Sequence, residues 1–388
     1  MYIDLNTDPA ELGNDNEITM CQKSIKKFIP ISVSSKFAIC GLPIRVDTYK
    51  NCSHGCKYCF ANERVIMEFK KDLQVGNIES VKRKLKKVFS NKYNPENFLE
   101  YLIKDGITWH CGGMSDPFQP VEKSLGVTKQ LVDVTNSYGV SILFSTKGFS
   151  TYDVDIRPDL HTFQFSFSSS TDRRDIEPFI ASFEKRYNLY RTLKDRGFKC
   201  GIRVQPFIPG VTNIEMVERF KDADYFSIEG LKLVPQNKEH KEYLLKLLKL
   251  NKEDFTQMGL LNLKPEIRER IYKPFIYELN KYGIPFSLAD NDMHHISSGK
   301  CCCGEPLVKK STDFNNTAMC FKYGPDYTKA NLISELGGCA QCVANNLFTS
   351  NRQEGCKTVG CFYEKRFDRK SSPFSPKFLY REPFSLFD

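Results

Sequence analysis

Three cysteines, Cys52, Cys56 and Cys59, stand as Cys-x3-Cys-x2-Cys inside Asn51–Glu63, with Phe60 directly after the third. Thiolates are soft ligands, and three on one short loop suit a metal site. A closed zinc site takes four protein ligands, so a zinc reading needs His54 or a distant cysteine as the fourth. Three thiolates better suit a cubane iron–sulfur cluster whose fourth iron is left open for a small molecule, cysteine being the usual ligand of such clusters. A second concentration lies toward the C-terminus, where Cys301, Cys302, Cys303, Cys320, Cys339, Cys342, Cys356 and Cys361 make up eight of the fifteen cysteines. An auxiliary iron–sulfur cluster is the favoured reading there. Structural zinc is the second, on Cys339-x2-Cys342 with Cys356-x4-Cys361; Cys302 or Cys303 with Cys320, Cys339 and Cys342 is an equal alternative set. Unligated thiols fit worst, because three consecutive thiols are open to oxidation. Neighbours in the chain point different ways, so one or two of Cys301, Cys302 and Cys303 are expected to ligate.

The elements that must position these groups alternate between short apolar strands and longer helical stretches. Strands are expected at 43–48, 107–110, 140–145, 162–167, 200–206, 225–228 and 285–289. Helices are expected at 78–89, 128–138, 179–196, 214–222, 238–249 and 266–282, several stopped by a glycine such as Gly139, Gly197 or Gly283. This repetition predicts a parallel sheet with right-handed crossovers, curled into an α/β partial (β/α)6 TIM-like barrel. Residues 1–41 read as an irregular lead-in packed on the core and 42–290 as the barrel. Residues 291–364 read as a cysteine-rich metal-binding extension, and 365–388 as a basic, aromatic tail. In such barrels the chemistry sits at the C-terminal ends of the strands. The cysteine loop falls there, and so do His110–Pro117, Thr146–Gly148, Ser168–Ser170 and Gln205–Pro206. The pair His294–His295, near Asp290 and Asp292, follows the last strand.

Hydrophobic residues at 40% and charged residues at 27% describe an ordinary globular protein. The first residues, Met1–Glu17, are acidic and polar where a secretory signal is basic and then apolar. No apolar run approaches the ~18 residues of a membrane span. Many cysteines without a signal point to metal ligation in a cytoplasmic setting, with no membrane partner. The net charge of +9 leans toward an anionic partner, nucleic acid first. Lys82, Arg83, Lys84, Lys86 and Lys87 concentrate charge on one helix; most such runs are solvated faces, and a phosphate-tracking patch is the alternative.

Cys52-x3-Cys56-x2-Cys59 followed by an aromatic resembles the cluster loop of the radical S-adenosylmethionine (SAM) enzymes. Gly112–Gly113–Met114–Ser115 resembles their glycine-rich motif after the second strand. More narrowly, residues 115–122 (Ser-Asp-Pro-Phe-Gln-Pro-Val-Glu), the strand ending Ser145–Thr146–Lys147, Phe163–Ser166 and Gly201–Pro206 resemble the spore photoproduct lyase group. The resemblance covers roughly residues 42–230. It implies a [4Fe–4S] cluster on Cys52, Cys56 and Cys59, with SAM on the fourth iron, reductive cleavage of SAM, and hydrogen abstraction from a substrate by a 5′-deoxyadenosyl radical. It implies a lyase or oxidoreductase fed by a reductant such as flavodoxin or ferredoxin. Gly112 and Gly113, with Met114 and Ser115, would meet the amino group of SAM. Lys147 would face its carboxylate, and Ser166 would lie near the ribose or methionine. Phe60 and Gln205 fall among the cofactor-binding positions.

Cys111 stands about where those lyases carry a hydrogen-donating cysteine, with two more residues between it and Ser115–Asp116. The tyrosine that follows their third cysteine is Phe60 here, and Tyr58 precedes Cys59 by one residue. A phenylalanine cannot relay a hydrogen atom, which departs from the chemistry of that group; Cys111 and Tyr58 are the catalytic candidates beside the resemblance. A nucleic acid base or nucleotide is the favoured substrate, in DNA or RNA repair or modification. A peptide-modifying enzyme with an auxiliary cluster is the alternative, and a non-catalytic metal- and nucleic-acid-binding protein is the reading from another class.

Overall fold

The structure is a computed structural model. It describes residues 25–33, 41–61, 73–148, 154–258, 260–290, 293, 296–299, 301–312, 317 and 320–321. In chain order the strands are β1 (Lys27–Phe28), β2 (Ile31–Val33), β3 (Ile44–Val46), β4 (Tyr49–Lys50), β5 (Gln74–Gly76), β6 (Trp109–Cys111) and β7 (Ile142–Thr146). They continue as β8 (Thr162–Ser166), β9 (Cys200–Phe207), β10 (Tyr225–Gly230), β11 (Lys232–Leu233), β12 (Phe255–Met258), β13 (Leu260–Leu263) and β14 (Phe286–Leu288).

The main sheet runs β14-β10-β9-β8-β7-β6-β3-β2. Seven of its strands are parallel and match the seven expected from the sequence; β2 is added antiparallel at the β3 edge. The stretch expected as an irregular lead-in therefore contributes β1 and β2. Two small sheets flank the main one, β1-β5-β4 and β11-β13-β12.

Side chains alternate across each strand. The outward set includes Ile44, Val46, Trp109, Ile142, Phe144, Phe163, Phe165, Ile202, Val204 and Ile228. It is buried in one continuous core with Val81, Leu85, Leu131, Leu189, Phe275 and Leu279 from the surrounding helices. Each such large side chain contributes about 1.5–3 kcal/mol on burial. The inward set is polar and hydrogen-bonded across strands: His110 reaches Ser145, Arg203 reaches Ser145, and Gln205 reaches Ser227. Arg203 and Ser145 stand two strands apart in the sheet order, so these bonds show the sheet curled about a polar lumen.

The helices start where local chemistry caps them. Asn77, Asn97, Ser182 and Asn237 each accept a backbone N–H of the first turn. The helix expected at 179–196 begins instead at Phe183. Pro178 disfavours helical backbone in the residue before it, and Ser182 supplies the cap. Residues 171–182 are thereby left as a loop that returns over the strand ends and carries Glu177. The helix Phe98–Lys104 was not expected. Its buried Glu100 takes Lys84 at 3.1 Å and Lys87 at 2.7 Å, which neutralises part of the basic run.

The segment 301–312 lies across the N-terminal ends of the strands. Thr108 N–H donates to the Lys310 carbonyl (2.9 Å) and Thr312 N–H to the Gly41 carbonyl (2.9 Å). Tyr225 Oη donates to the Cys301 carbonyl (3.0 Å), and Leu307 fills the space beside Gly201. Among the described residues, segment 301–312 thus covers the floor of the barrel, opposite the C-terminal strand ends.

Candidate active site

The cysteine loop leaves β4 at the rim, and the 115–122 motif splints it. Gln119, fully buried, accepts Ser53 N–H (2.8 Å) and donates to the Asn51 carbonyl (3.2 Å). Ser115 donates to the Tyr49 carbonyl (2.5 Å). Glu122 accepts the Tyr49 hydroxyl and the backbone N–H groups of Thr128 and Lys129. Asp116 accepts from Thr146 Oγ1 (2.6 Å) and Lys147 N (2.5 Å). Its other contact is His54 Nε2, at 3.3 Å. Burial alone would raise the Asp116 carboxyl, but His54, Thr146 and the Lys147 N–H hold it below its usual value. The residues that make the motif legible in sequence thus act mainly on the loop's backbone and on the start of the β7 exit.

Cys52, Cys56 and Cys59 are all half-buried. Burial, together with the Asp116 charge, pushes the Cys52 thiol up to about 12, and burial pushes Cys56 well up too. Thiols in such a place ionise only when a cation takes them. Among the described residues, the three thiols drawn within 4.8 Å of one another are those of Cys301, Cys302 and Cys303, not these. The wider spread suits several irons better than one ion. Backbone N–H groups of His54 and Asp116 bond to the Cys52 sulfur, the kind of hydrogen bond that tunes cluster thiolates. Ser53 Oγ and both ring nitrogens of His54 are buried with no well-directed hydrogen bond. The donor set and these stranded polar atoms fit a bound cluster.

Beside the loop lies a buried ionic hub. Glu177 accepts from Lys147 Nζ (2.9 Å), Ser168 Oγ (2.8 Å) and the Tyr58 hydroxyl, with Arg186 NH2 at 3.5 Å. Burial works to raise the Glu177 carboxyl, but the charges of Lys147 and Arg186 and the bond from Tyr58 bring it down to about 2. Lys147 Nζ also lies 3.4 Å from the Ser166 carbonyl. Burial and Glu177 push the Tyr58 phenol well up, so it keeps its proton.

The glycine turn follows β6. Gly112 has φ +97°, and a Cβ there would sit 2.1 Å from the Ser145 carbonyl oxygen, so only glycine fits. Asp47 accepts Met114 N–H (3.2 Å) and fixes the turn; Met114 itself is exposed. Gly113 faces Arg45, whose Nε is buried without a hydrogen-bond partner. Gln205 donates to Ser227 Oγ (2.8 Å) inside the lumen, and Phe60 is half-buried at the end of the cysteine loop.

Three sequence expectations need correction. Cys111 follows the inward-facing His110, so the two-residue period turns it outward, and it is fully buried in the apolar core between sheet and helices. It cannot face a substrate from there. Tyr58 is likewise turned into an apolar cluster with Ile176 and Ile208, its hydroxyl committed to Glu177. Cys301, Cys302 and Cys303 do bring all three sulfurs together, because a tight turn closed by Gly304 N–H to the Cys301 carbonyl (3.1 Å) overrides the divergence of neighbours. Cys320 is half-buried and stands outside that group. Cys339, Cys342, Cys356, Cys361 and His294–His295 lie outside the described residues. Asp290 is used internally, by Gly230 N–H, Tyr272 and Arg268.

No known family profile matches the sequence. An uncharacterized protein of Methanocaldococcus jannaschii is 25% identical over 207 residues, 51% of this chain and 74% of that protein. Among solved structures, a cysteine-to-serine variant of spore photoproduct lyase matches with TM-score 0.52 at 15% identity, covering 68% of this chain and 80% of that one. A tyrosine-to-phenylalanine variant of the same lyase gives TM-score 0.50 at 15% identity, over 64% and 76%. The chain has the fold of spore photoproduct lyase.

Within that fold, sequence reading missed Glu177, Arg45 and Arg203, and weighed His54 only as a fourth zinc ligand. Glu177 pairs with Tyr58 across 119 positions and with Lys147 across 30, and no local pattern links them. His54 carried a signal, lying between Cys52 and Cys56. Among the described residues no helix is long and apolar enough to cross a membrane.

Proposed function

We propose that this chain is a radical SAM enzyme acting on a nucleic acid base or nucleotide. The observation that carries the reading is the placing of Cys52, Cys56 and Cys59 at the strand-end rim of a partial parallel barrel, beside the Gly112–Gly113 turn and Lys147. Cys52, Cys56 and Cys59 would hold a [4Fe–4S] cluster, which when bound supplies the electron for reductive cleavage of SAM and so for hydrogen abstraction from the substrate. The methionine end of SAM carries one charge of each sign. Lys147 offers the cation for its carboxylate, with Glu177 orienting that ammonium. The Gly112–Gly113 turn, pinned by Asp47, leaves backbone room for its amino group. Gln119 and Asp116 keep the cysteine loop and the β7 exit in fixed relation. An external one-electron donor of the flavodoxin or ferredoxin type is required.

The substrate assignment is supported by the lumen. Arg45 and Arg203 bring two guanidinium groups inside the barrel, and Gln205 adds an amide. Cations with amide donors and acceptors suit phosphate and base edges better than an apolar side chain. A base held in a duplex must be flipped out or unpaired to reach such a depth.

The test is anaerobic. Enzyme loaded with about four irons is mixed with SAM and dithionite, and 5′-deoxyadenosine is measured; its absence sinks the enzyme reading. For substrate class, deuterated oligonucleotides, nucleotides and peptides are compared for deuterium transfer into deoxyadenosine. Transfer from a peptide and from no nucleotide rejects the substrate assignment while leaving the radical chemistry standing.

A further inference from the structure

The barrel floor holds a second set of thiols. Cys301, Cys302 and Cys303 offer three sulfurs that all lie within 4.8 Å of one another. Cys301 and Cys303 are buried and Cys302 is half-buried. Cys302 and Cys303 Sγ are 3.9 Å apart, and Cys303 Sγ lies 4.0 Å from Nδ1 of His110, 193 positions away in the chain. A tetrahedral zinc ion with Zn–S of about 2.3 Å and Zn–N of about 2.0 Å has S···S edges near ~3.8 Å and S···N edges near ~3.5 Å. The Cys302–Cys303 and Cys303–His110 spacings lie near those edges; His110 Nδ1 stands outside the 4.8 Å group of the three sulfurs, so an ion would draw the ring and the turn together. A cube of four irons holds its thiolates farther apart.

The proton count on His110 gives an independent reason. The Cys302 carbonyl only accepts, so Gln164 must turn its amide nitrogen toward it, at 3.4 Å. That leaves Gln164 Oε1 facing Ser145 Oγ at 3.2 Å, and the single Ser145 proton goes there. Ser145 Oγ must then accept its other bonds, from Arg203 (3.3 Å) and from His110 Nε2 at 2.8 Å. His110 therefore carries its proton on Nε2 and turns a bare Nδ1 lone pair toward Cys303. Metal-bound histidines almost always donate their other ring N–H to a partner that fixes the ring, and the Ser145 bond does this here. His110 is 5% exposed, so the lone pair is aimed into the protein.

We propose that Cys301, Cys302, Cys303 and His110 Nδ1 form a tetrahedral site for a single zinc ion that clamps segment 301–312 to the barrel floor. Three thiolates and Zn²⁺ sum to one negative charge, which the nearby Arg203 and Arg45 guanidiniums offset. Without the ion the segment is held by Cys301, Cys303 and Leu307 packed against Leu42, Leu143 and Tyr225, and by hydrogen bonds: the Tyr225 hydroxyl on the Cys301 carbonyl, Gly41 N–H on Cys301 Sγ (3.2 Å), Lys199 Nζ on the Pro306 carbonyl (3.0 Å), Lys310 Nζ on Asp105 (2.7 Å), and backbone bonds at Lys310 and Thr312. An ion tied to His110 at the middle of β6 would anchor the segment to the sheet itself.

The test uses the full chain, purified without oxygen, and reads metal rather than turnover. Zinc K-edge absorption is recorded on the wild type, Cys302→Ser and His110→Ala, with zinc and iron counted for each. Because further cysteines follow residue 321, the site is read from the difference between wild type and Cys302→Ser. The expected result is loss of one zinc per chain in Cys302→Ser. The difference shell should contain three sulfurs at about 2.3 Å and one nitrogen at about 2.0 Å. His110→Ala should bind zinc ~100-fold more weakly in chelator competition. An unchanged zinc count in Cys302→Ser overturns the proposal. So does a four-sulfur difference shell, iron in place of zinc, or a Cys302–Cys303 disulfide in the wild type. Where Cys302→Ser fails to fold, the difference is taken against His110→Ala: loss of one nitrogen at about 2.0 Å is expected, and an unchanged shell overturns the proposal.

Discussion

The rim and the floor of this barrel each gather three cysteines, and they do so in opposite ways. At the rim, Cys52, Cys56 and Cys59 are separated by spacers, and their loop is held from outside by Gln119, Ser115 and Asp116. At the floor, Cys301, Cys302 and Cys303 are consecutive. Their turn closes on itself, with Cys303 N–H donating to Cys301 Sγ at 3.3 Å. Spacers spread sulfurs apart and leave a corner open. Consecutive cysteines draw sulfurs to single-ion distance and take their fourth ligand from a distant strand. One cysteine-rich chain can thus keep an open, reactive centre and a closed, structural one at opposite ends of the same strands. The sharpest break of that comparison is a metal swap. Replacing any one of Cys52, Cys56 or Cys59 by alanine should abolish deoxyadenosine formation and remove the rim iron, with zinc retained. Replacing Cys301, Cys302 and Cys303 together by serine should remove one zinc and retain the iron. Elemental analysis of the two variants side by side checks both, and loss of both metals in either one would dissolve the distinction.

The next effect concerns stability at the rim. Glu177 is the shared anion of Lys147 and Arg186, all three largely buried. Glu177→Ala leaves both cations without it and should cost about 3–5 kcal/mol, read as a lowered denaturant midpoint. The same hub predicts an acid dependence. Glu177 titrates at about 2 in the folded protein against an ordinary 4.5. A depressed carboxylate contributes stability that is complete above the ordinary value and is lost as pH falls through the folded one. Stability should therefore drop by on the order of 3 kcal/mol between roughly pH 5 and pH 2, and that slope should shrink in Glu177→Gln. A floor variant such as Cys302→Ser should keep the slope.

How much of this was legible in sequence follows the same divide. The seven parallel strands could be read because each is a short run with apolar residues on the helix side, ended by glycine, proline or polar residues. The rim cysteines could be read because their ligand spacing is local. The 115–122 motif was visible, but its work was not: Gln119 grips backbone, and Glu122 the Tyr49 hydroxyl, more than 60 positions upstream. Cys111 was misplaced because a linear match ignores the two-residue period of a strand, which gives the lumen to His110. The floor site was illegible for the opposite reason: His110 and Cys303 meet only once the chain has closed the barrel. Short strands such as Lys232–Leu233 left no periodic signal at all.

A smaller effect tests the glycine turn that joins the rim to the lumen. Gly112→Ala puts a Cβ 2.1 Å from the Ser145 carbonyl oxygen at φ +97°. The backbone strain alone should cost about 1–3 kcal/mol, and relief requires the turn or the end of β7 to move. Because Lys147 follows that strand end, the KM for SAM should rise, while zinc content stays that of the wild type. A variant with unchanged KM and midpoint would mean that the turn relaxes freely and does not fix the SAM end of the site.

The last effect bears on the residue that links the two ends. Ser145 takes the His110 Nε2 proton and gives its own to Gln164. Ser145→Ala removes the hydroxyl's three hydrogen bonds, to His110, Arg203 and Gln164, each worth about 0.5–1.5 kcal/mol to folding. Its consequence for the floor is separate, because the imidazole loses the partner that fixes its tautomer and aim. Loss of such an outer partner typically weakens a metal site about 10- to 100-fold, so zinc should leave Ser145→Ala in a chelator concentration that leaves wild type loaded. Ser145→Thr keeps the hydroxyl and should restore most of the affinity if the added methyl is accommodated beside Gln164. The iron of the rim should be the same in all three proteins. If Ser145→Ala holds zinc as tightly as wild type, Nδ1 of His110 is not the fourth ligand, and the floor cysteines must close their site with a group other than the sheet.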